Sequence, residues 1–242
     1  MMAGMTGAGK SLMVNSIVNY VYGVNCEDDF RFKLIIEAEE LSDRVDGTSN
    51  MADSLTRYVT SYRLNYQKCF RVKFSLILID TPGFGQGLEY DQKTMKSLKE
   101  FLDFKNLNGM GDRIDELSSL GLVIQASQSR LTAEQMYVFN SVLDIFGKEV
   151  AKNICLLFTF ADAQPPPALE TVKKAYIPFP QNGVFKFNNS ALYADSNYDE
   201  ATRYYWKFGF QSLGKFFEVC NVLYILAELL ASSQHSAHLM AP

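Results

Sequence analysis

The first eleven residues contain the feature that most constrains this chain, a glycine-rich loop that ends in Lys-Ser. The stretch from Gly4 to Ser11 reads GMTGAGKS and fits the pattern Gly-x-x-x-x-Gly-Lys-[Ser/Thr] without a substitution. Glycines let the backbone turn tightly, and the N–H groups of such a loop surround phosphate oxygens together with the N-terminus of the following helix. The lysine charge suits the β- and γ-phosphates, and the serine hydroxyl suits Mg²⁺. The sequence therefore predicts a phosphate-binding loop, or P-loop.

The flanks of the P-loop support this interpretation on one side only. Leu12 to Tyr22 has the pattern of a helix, and Gly23 is placed to end it. A P-loop normally follows a buried parallel strand, yet only three residues precede the loop. Because a usual strand has about five or six residues, we expect a truncated first strand, with Met1 and Met2 where that strand would end.

Length and charge exclude several classes of function. A chain of 242 residues can bury one sizeable core. Its net charge of −4 argues against nucleic acid as the main partner. We see no signal peptide and no charge-free apolar run of membrane-spanning length. We therefore expect no transmembrane span and a cytoplasmic location.

Cysteine and histidine usage predicts neither a metal centre nor histidine catalysis. The four cysteines are far apart in the sequence, without paired metal-ligand spacing, and we expect reduced thiols. The two histidines, His235 and His238, lie in a polar tail that we interpret as a frayed terminus.

The first half of the chain predicts a β-hairpin. Phe30 to Ile36 alternates apolar and polar residues and predicts a strand, and the loop from Glu37 to Asp53 follows it. Tyr58 to Tyr66 and Val72 to Asp80 are rich in aromatic and β-branched residues. The break at Gln67 to Cys69 is so short that these two strands must pair antiparallel.

The loop Asp80-Thr81-Pro82-Gly83 follows the second strand of the hairpin directly. Its carboxylate lies at the carboxyl end of a strand, where ligands bind in open α/β sheets. A P-loop followed by an antiparallel hairpin that ends in Asp-x-x-Gly is the arrangement of G domains. The expected fold is therefore a P-loop NTPase G domain of the α/β class, mostly parallel with one antiparallel hairpin and helices on both faces.

The second half of the chain alternates helices and strands. We predict a helix from Tyr90 to Phe104, a surface loop from Asn106 to Asp112, and strands at Leu120 to Gln125, Ile154 to Phe160 and Val184 to Phe187.

Thr132 and Gln135 form a capping box, which begins a helix that ends at Gly147. The predicted apolar stripe of this helix consists of Met136, Phe139, Leu143 and Phe146.

The three prolines from Pro165 to Pro167 are expected to stop regular structure. From about Asp199 onward the pattern is helical, with Phe216 and Cys220 at helical spacing. We therefore divide the chain into a G domain at 1–195 and a helical extension at 196–242, which packs on the G domain or on a partner.

Taken together, these motifs resemble those of the septin-related GTPases and, within them, the AIG1 family, the GTPases of immunity-associated proteins. The motifs that carry the resemblance are Gly4 to Ser11, Ser54 to Arg57, Asp80 to Gly83, Arg130 to Thr132, Ile145 to Gly147, Leu157 to Asp162 and Phe187 to Asn189. The resemblance implies a Mg²⁺-dependent GTP-binding switch, and a homodimer across the nucleotide face.

Carried over residue by residue, the resemblance assigns a role to each motif. Lys10, Thr56 and Gly83 would act in catalysis. Ser11 and Thr56 would bind Mg²⁺ and Asp80 would hold the water shell of the ion, although Thr60 competes with Thr56. Asp162 would accept hydrogen bonds from guanine, and the Ser190-Ala191 backbone competes with the asparagine pair for the base. The nucleotide-binding residues would be Gly4, Met5, Thr6, Gly7, Ala8, Gly9, Lys10, Ser11, Leu12, Thr159, Asp162, Asn188 and Asn189.

Three departures from the family pattern qualify these roles. Phe160 stands where the guanine-reading motif has Lys or Arg, which keeps an ATP-binding protein as an alternative. Phe84 follows Asp-x-x-Gly where Ras-type enzymes have a water-orienting glutamine, so hydrolysis should be slow. The long loop from Glu37 to Asp53 blurs the choice between Thr56 and Thr60. Because the water-orienting glutamine is absent, a scaffold that holds GTP without useful turnover is a further alternative.

Overall fold

A six-stranded sheet forms the centre of the structure, a computed structural model that describes residues 1–36, 58–107, 117–193 and 199–238. The strand order is β2-β3-β1-β4-β5-β6. All neighbours are parallel except β2 and β3, which are antiparallel. The strands are β1 (Met2–Gly4), β2 (Thr60–Leu64), β3 (Leu76–Asp80), β4 (Leu120–Gln125), β5 (Ile154–Thr159) and β6 (Val184–Lys186).

Helices cover both faces of this sheet. They are α1 (Lys10–Val21), α2 (Leu88–Leu107), α3 (Ala133–Phe146), α4 (Pro167–Lys174) and α5 (Glu200–His238), with 3₁₀ turns at Lys148–Asn153 and Asn189–Leu192. The predicted α/β fold with one antiparallel hairpin is confirmed. Within the described residues, none of these helices combines the length and apolar character needed to cross a bilayer.

The first strand is short, as expected, and nevertheless lies at the centre of the sheet. Its three residues are buried. They pair with Gly121, Leu122 and Val123 of β4, and Met2 also pairs with Asp80 of β3. A parallel bridge between Met5 and Phe84 continues the contact beyond the strand. The β1 strand therefore brings the P-loop next to the loop that follows β3.

The predicted hairpin is confirmed, but its strands are shorter than predicted. The ladder runs from Thr60 opposite Asp80 to Leu64 opposite Leu76. Beyond this point Tyr66 N–H is bound by the Ser75 hydroxyl instead of a ladder partner. Phe70 turns inward to pack on α1. The connection is therefore residues 65–75, longer than the predicted break at Gln67 to Cys69.

The predicted strand from Phe30 to Ile36 is wrong, because two asparagines of α1 take the place of a neighbouring strand. Asn19 accepts a hydrogen bond from Phe32 N–H and donates to Phe32 C=O, at 2.9 and 2.8 Å. Asn15 bonds in the same way to Ile35, donating to its carbonyl and accepting from its N–H. The segment is extended without joining the sheet. We call it the clamped segment, residues 30–36.

The other helix and strand predictions hold, with three corrections. Pro167 does not stop regular structure but begins α4, because a proline at the first helical position loses no needed N–H. The capping box of α3 is present, but Val138 and Val142 are buried instead of Met136. Asn106 is helical, since α2 extends to Leu107. The predicted loop from Glu37 to Asp53 and residues 108–112 lie outside the described residues.

Two apolar cores lie on opposite faces of the sheet. One core joins the sheet to α2, α3 and α4 through residues such as Leu98, Phe139 and Val172. The other joins it to α1 and α5 through Ile17 and Leu213, both fully buried. The helical extension therefore packs on the same core as the helix that follows the P-loop.

Candidate functional site

The P-loop connects the end of β1 to the start of α1. Gly7 and Gly9 have φ angles of 74° and 86°, a conformation that L side chains rarely adopt. A Cβ on Gly4 would lie 2.4 Å from the carbonyl oxygen of Val123 on β4, so the strands can approach only with glycine here. The glycines of the motif are therefore required by this geometry.

Lys10 is buried and turned back over the loop that precedes it. Its Nζ donates to the carbonyl oxygens of Gly4 (3.1 Å) and Met5 (3.0 Å). Burial lowers the pKa of Lys10 to about 8, and the Asp80 carboxylate opposes that shift. The amine therefore lies inside the P-loop, close to the carboxyl end of β3.

The Asp-x-x-Gly loop after β3 lies directly against the P-loop. Thr6 N–H donates to Phe84 C=O at 2.7 Å, and Phe84 N–H donates to Gly4 C=O at 3.2 Å. A Cβ on Gly83 would be 2.4 Å from Thr6 Oγ1 and 2.7 Å from Thr6 Cα. Beyond the glycine, Gly85 N–H donates to the buried carboxylate of Asp91 at 2.9 Å. Only glycine fits at position 83, and its backbone faces the P-loop.

Two of the predicted metal ligands lie near Lys10, one at the start of α1 and the other at the end of β3. Ser11 is in the first turn of α1, and Asp80 is fully buried at the end of β3. Thr60 lies opposite Asp80 in the hairpin ladder, and its hydroxyl donates to Tyr58 C=O. Thr56 lies outside the described residues. Hydroxyl and carboxylate oxygens are the donors that Mg²⁺ prefers, so these side chains fit that ion.

Among the residues that the structure describes, these oxygens are not part of a protein-only metal cage. Within the described ranges, no group of three or more His, Cys, Asp or Glu side chains could hold a metal ion. Mg²⁺ commonly binds through one or two carboxylates and substrate phosphates instead of a dedicated cage. The described cysteines are free thiols, as predicted.

A pocket of about 230 Å³ lies on the other side of the P-loop, beside Gly9. It is lined almost entirely by apolar surface. The lining residues are Gly9, Leu12, Thr159, Phe160, Asn189, Ser190 and Tyr193. The Thr159 hydroxyl donates to Ala8 C=O at 2.7 Å, which fixes the P-loop to the end of β5. Apolar walls of this kind suit a ring system.

Phe160 forms one wall of this pocket in an unusual backbone conformation. Its φ angle is 51°, which is uncommon for a residue other than glycine. Its side chain is 53% exposed, and its ring lies beside Gly9. A bulky residue held in this region by its surroundings is typical of a functional site.

Of the remaining residues predicted to bind the base, some line the pocket and others do not. Asn189 is buried, with its amide nitrogen 3.2 Å from Met13 Sδ, while Asn188 caps the following turn through Ser190 N–H. Asp162 is exposed and accepts a hydrogen bond from Gln164 N–H at 2.8 Å. The described residues that line the pocket include neither Asp162 nor Asn188.

Sequence reasoning missed two glutamines that contact the P-loop. Gln86 Nε2 donates to Thr6 Oγ1, and Gln125 Nε2 donates to Gly7 C=O, both at 3.1 Å. Gln125 is the last residue of β4, so its place at the carboxyl end of a central strand could have indicated it. Gln86 lies three residues after Gly83, outside the Asp-x-x-Gly motif.

Comparisons with known proteins found distant structural likenesses. No protein-family model and no curated protein matches the chain. Among solved structures, the chain is similar to Toc33 from Arabidopsis thaliana in complex with GDP and Mg²⁺ (17% identity, 78% of this chain, 69% of that one, TM-score 0.48). The complex of Toc33 with Mg²⁺ and GMPPNP gives 18% identity with the same coverage and TM-score.

A second solved structure is the SRb-GTP/SRX complex of the signal recognition particle receptor from Chaetomium thermophilum. The likeness there is 15% identity over 86% of this chain and 95% of that one, with a TM-score of 0.41. Likenesses this distant carry no argument about function. The strand order, the P-loop after β1 and the Asp-x-x-Gly loop after β3 place the chain in the P-loop G-domain class of folds. The AIG1 resemblance stays a prediction.

Proposed function

We propose that the chain binds a guanine nucleotide with Mg²⁺ and hydrolyses GTP slowly, acting as a nucleotide-controlled switch or assembly protein. One observation carries the proposal. The P-loop has the Asp-x-x-Gly loop against one side, with Gly83 packed on Thr6, and the apolar pocket of about 230 Å³ on its other side at Gly9. A nucleotide needs a phosphate cradle with a base pocket beside it.

In this proposal, the phosphate side uses the residues that surround Lys10. The Lys10 ammonium would leave the carbonyls of Gly4 and Met5 to neutralise phosphate charge, and the backbone at Gly83 would meet the terminal phosphate. Mg²⁺, when bound, neutralises charge that develops on the phosphates during transfer. Ser11 and Asp80 would hold the ion, with Thr56 as the switch threonine.

Slow turnover follows from the residue after Gly83. Phe84 is fully buried, so its side chain lies in the core and does not reach an attacking water. In enzymes of this chemistry a glutamine orients that water, and an added arginine raises the rate by several orders of magnitude. The same observation favours a second candidate, a scaffold that holds GTP without useful turnover.

A binding titration tests the guanine assignment. The purified chain is titrated with GTP, ATP and xanthosine triphosphate in Mg²⁺, and the titration is repeated with Asp162→Asn. We expect a preference for GTP that moves to the xanthine nucleotide in the variant, because the amide reverses the hydrogen-bonding pattern presented to the base. ATP binding that equals GTP binding and is unchanged by Asp162→Asn would sink the guanine assignment and leave a generic P-loop site.

Single-turnover hydrolysis separates the switch from the scaffold. GTP hydrolysis is followed with the protein in excess, over a wide range of protein concentrations. We expect a slow rate that rises with concentration if a second copy completes the site. A rate equal to the background in buffer at every concentration would remove the enzyme and leave the scaffold.

A further inference from the structure

Lys186 of β6 holds the loop that carries Asp162. Its Nζ donates to the carbonyl oxygens of Ala163 at 2.7 Å and Gln164 at 3.1 Å. These two residues follow Asp162 directly, beyond the end of β5. Lys186 reaches them from the neighbouring strand, where it pairs with Phe158. Lys186 on β6 therefore fixes the loop at the end of the neighbouring strand, β5.

The backbone around Asp162 is thereby held on both sides. On one side, Ala161 N–H donates to Phe187 C=O at 2.9 Å, which continues the pairing of β5 with β6. On the other side, Asp162 itself accepts from Gln164 N–H at 2.8 Å, in the same turn that Lys186 binds through carbonyl oxygens. The direction of the carboxylate therefore depends on where the 163–164 turn lies.

The C-terminal helix fixes the position of the lysine. Lys186 Nζ lies 5.5 Å from the centroid of the Phe208 ring on α5. A cation over an aromatic face is attracted by the ring quadrupole. The Phe208 ring itself stacks on Tyr204, with 6.0 Å between centroids. The lysine thus joins α5 to the Asp162 loop.

We infer that Lys186 is a positioning residue for base recognition, which orients Asp162 toward the two adjacent N–H donors of a guanine edge. The inference rests on the proposed function. Phe160 is uncharged where the resembled family has Lys or Arg, and Lys186 supplies a cation to the same loop from β6. The ligand class is a purine nucleotide that carries hydrogen-bond donors at N1 and at the exocyclic 2-position.

The test is base selectivity of Lys186→Met, measured as the ratio of the GTP and ATP dissociation constants. We expect the preference for GTP to fall about tenfold, or about 1.4 kcal/mol, while ATP affinity stays within about twofold because the P-loop contacts are unchanged. Lys186→Arg should retain most of the preference, since a guanidinium can still donate to both carbonyls. Lys207→Met, at an exposed lysine of α5, is the matched control and should change neither affinity.

A double-mutant cycle distinguishes positioning from general destabilisation. In the Asp162→Asn background, Lys186→Met should have no further effect on the GTP-to-ATP ratio, because the group it positions is gone. An unchanged ratio in the single Lys186→Met variant, or an equal loss of GTP and ATP affinity, would overturn the inference. If Lys186→Met does not fold, Phe208→Leu gives the same test with a smaller expected loss. A native chain that shows no preference for GTP would instead refute the proposed function.

Discussion

At the residue scale, the surroundings of Lys10 change its chemistry. Its ammonium is buried among backbone carbonyls, and burial lowers its pKa from 10.5 to about 8. Phosphate binding requires the charged form of this amine. Lys10 is therefore mostly charged at neutral pH, and it loses this charge as the pH rises through about 8.

This pKa predicts how nucleotide affinity depends on pH. We expect affinity to be nearly constant from about pH 7 to pH 8 and to fall above pH 8 by up to about tenfold per pH unit, because the neutral amine must take up a proton before it can neutralise phosphate. Binding titrations with a non-hydrolysable nucleotide at several pH values measure this. Lys10→Arg, which stays charged, should bind with an affinity that does not change over the same range. A flat profile for the native chain would contradict the prediction.

The contact between Gly83 and Thr6 gives a second prediction. Gly83→Ala places a methyl group 2.9 Å or less from the backbone N and Cα of Thr6, so the two loops must separate. We expect a loss of about 1–3 kcal/mol in unfolding free energy. We also expect that nucleotide no longer raises the unfolding free energy.

Chemical denaturation with and without nucleotide measures both effects. The matched control is Gly209→Ala in α5, where a Cβ meets no heavy atom within 4 Å. This change should raise stability by about 0.5–1 kcal/mol, because alanine favours a helix interior. A Gly83→Ala variant as stable and as responsive to nucleotide as the native chain would rule out the close approach.

Residue identity predicted the geometry of the P-loop and of the Asp-x-x-Gly loop better than that of the pocket beside Gly9. Gly4, Lys10 and Gly83 are required by local geometry that a fixed spacing encodes, so the motif was sufficient to locate them. Lys186 and Gln125 act across strands that are far apart in the sequence. Their roles depend on strand register, which no local pattern reveals.

At the scale of single elements, the clamped segment shows how side chains can replace a sheet partner. Residues 30–36 alternate in polarity, which is the pattern of a strand. Their backbone groups are bound instead by the buried amides of Asn15 and Asn19. By contrast, β4 and the capping box of α3 were predicted at their observed residues, because their signals are local and no tertiary contact competes with them.

The clamp predicts a large cost for removing either amide. Asn19→Leu leaves Phe32 N–H and C=O without their partner, and we expect a loss of about 3 kcal/mol in unfolding free energy. Urea denaturation measures the loss, and hydrogen exchange at Phe32 should accelerate. Asn140→Ala, at an exposed asparagine of α3, is the control and should stay within about 0.5 kcal/mol of the native chain. Equal losses for the two variants would show that the clamp adds nothing.

At the scale of the whole molecule, the two cores share one sheet. Leu213 and Phe216 of α5 belong to the same core as Ile17 of α1, so α5 and the sheet bury one continuous apolar surface. The division at residues 195 and 196 that the sequence suggested therefore crosses a packed contact. Composition could not reveal this, because an apolar helix face packs equally well on a neighbour or on a partner.

Shared packing predicts a single unfolding transition. Trp206, the only tryptophan of the chain, is buried on α5 beside Leu192. We expect its fluorescence and the far-ultraviolet circular dichroism to change at the same denaturant concentration, because α5 and the sheet share one buried apolar surface and should unfold together. Leu213→Ala should lower both midpoints together, by about 2–5 kcal/mol in free energy. A fluorescence change that precedes the loss of sheet signal would show that α5 unfolds separately.

The position of β1 has a consequence for synthesis on the ribosome. Gly4 leaves the ribosome long before Val123, the residue it pairs with in the sheet. At about 5–20 residues per second, the wait is on the order of ten seconds. Until Val123 has emerged, β1 can pair only with β3, on one side of the strand. The P-loop is therefore complete in sequence well before the sheet that positions it is complete, and its geometry forms late in synthesis.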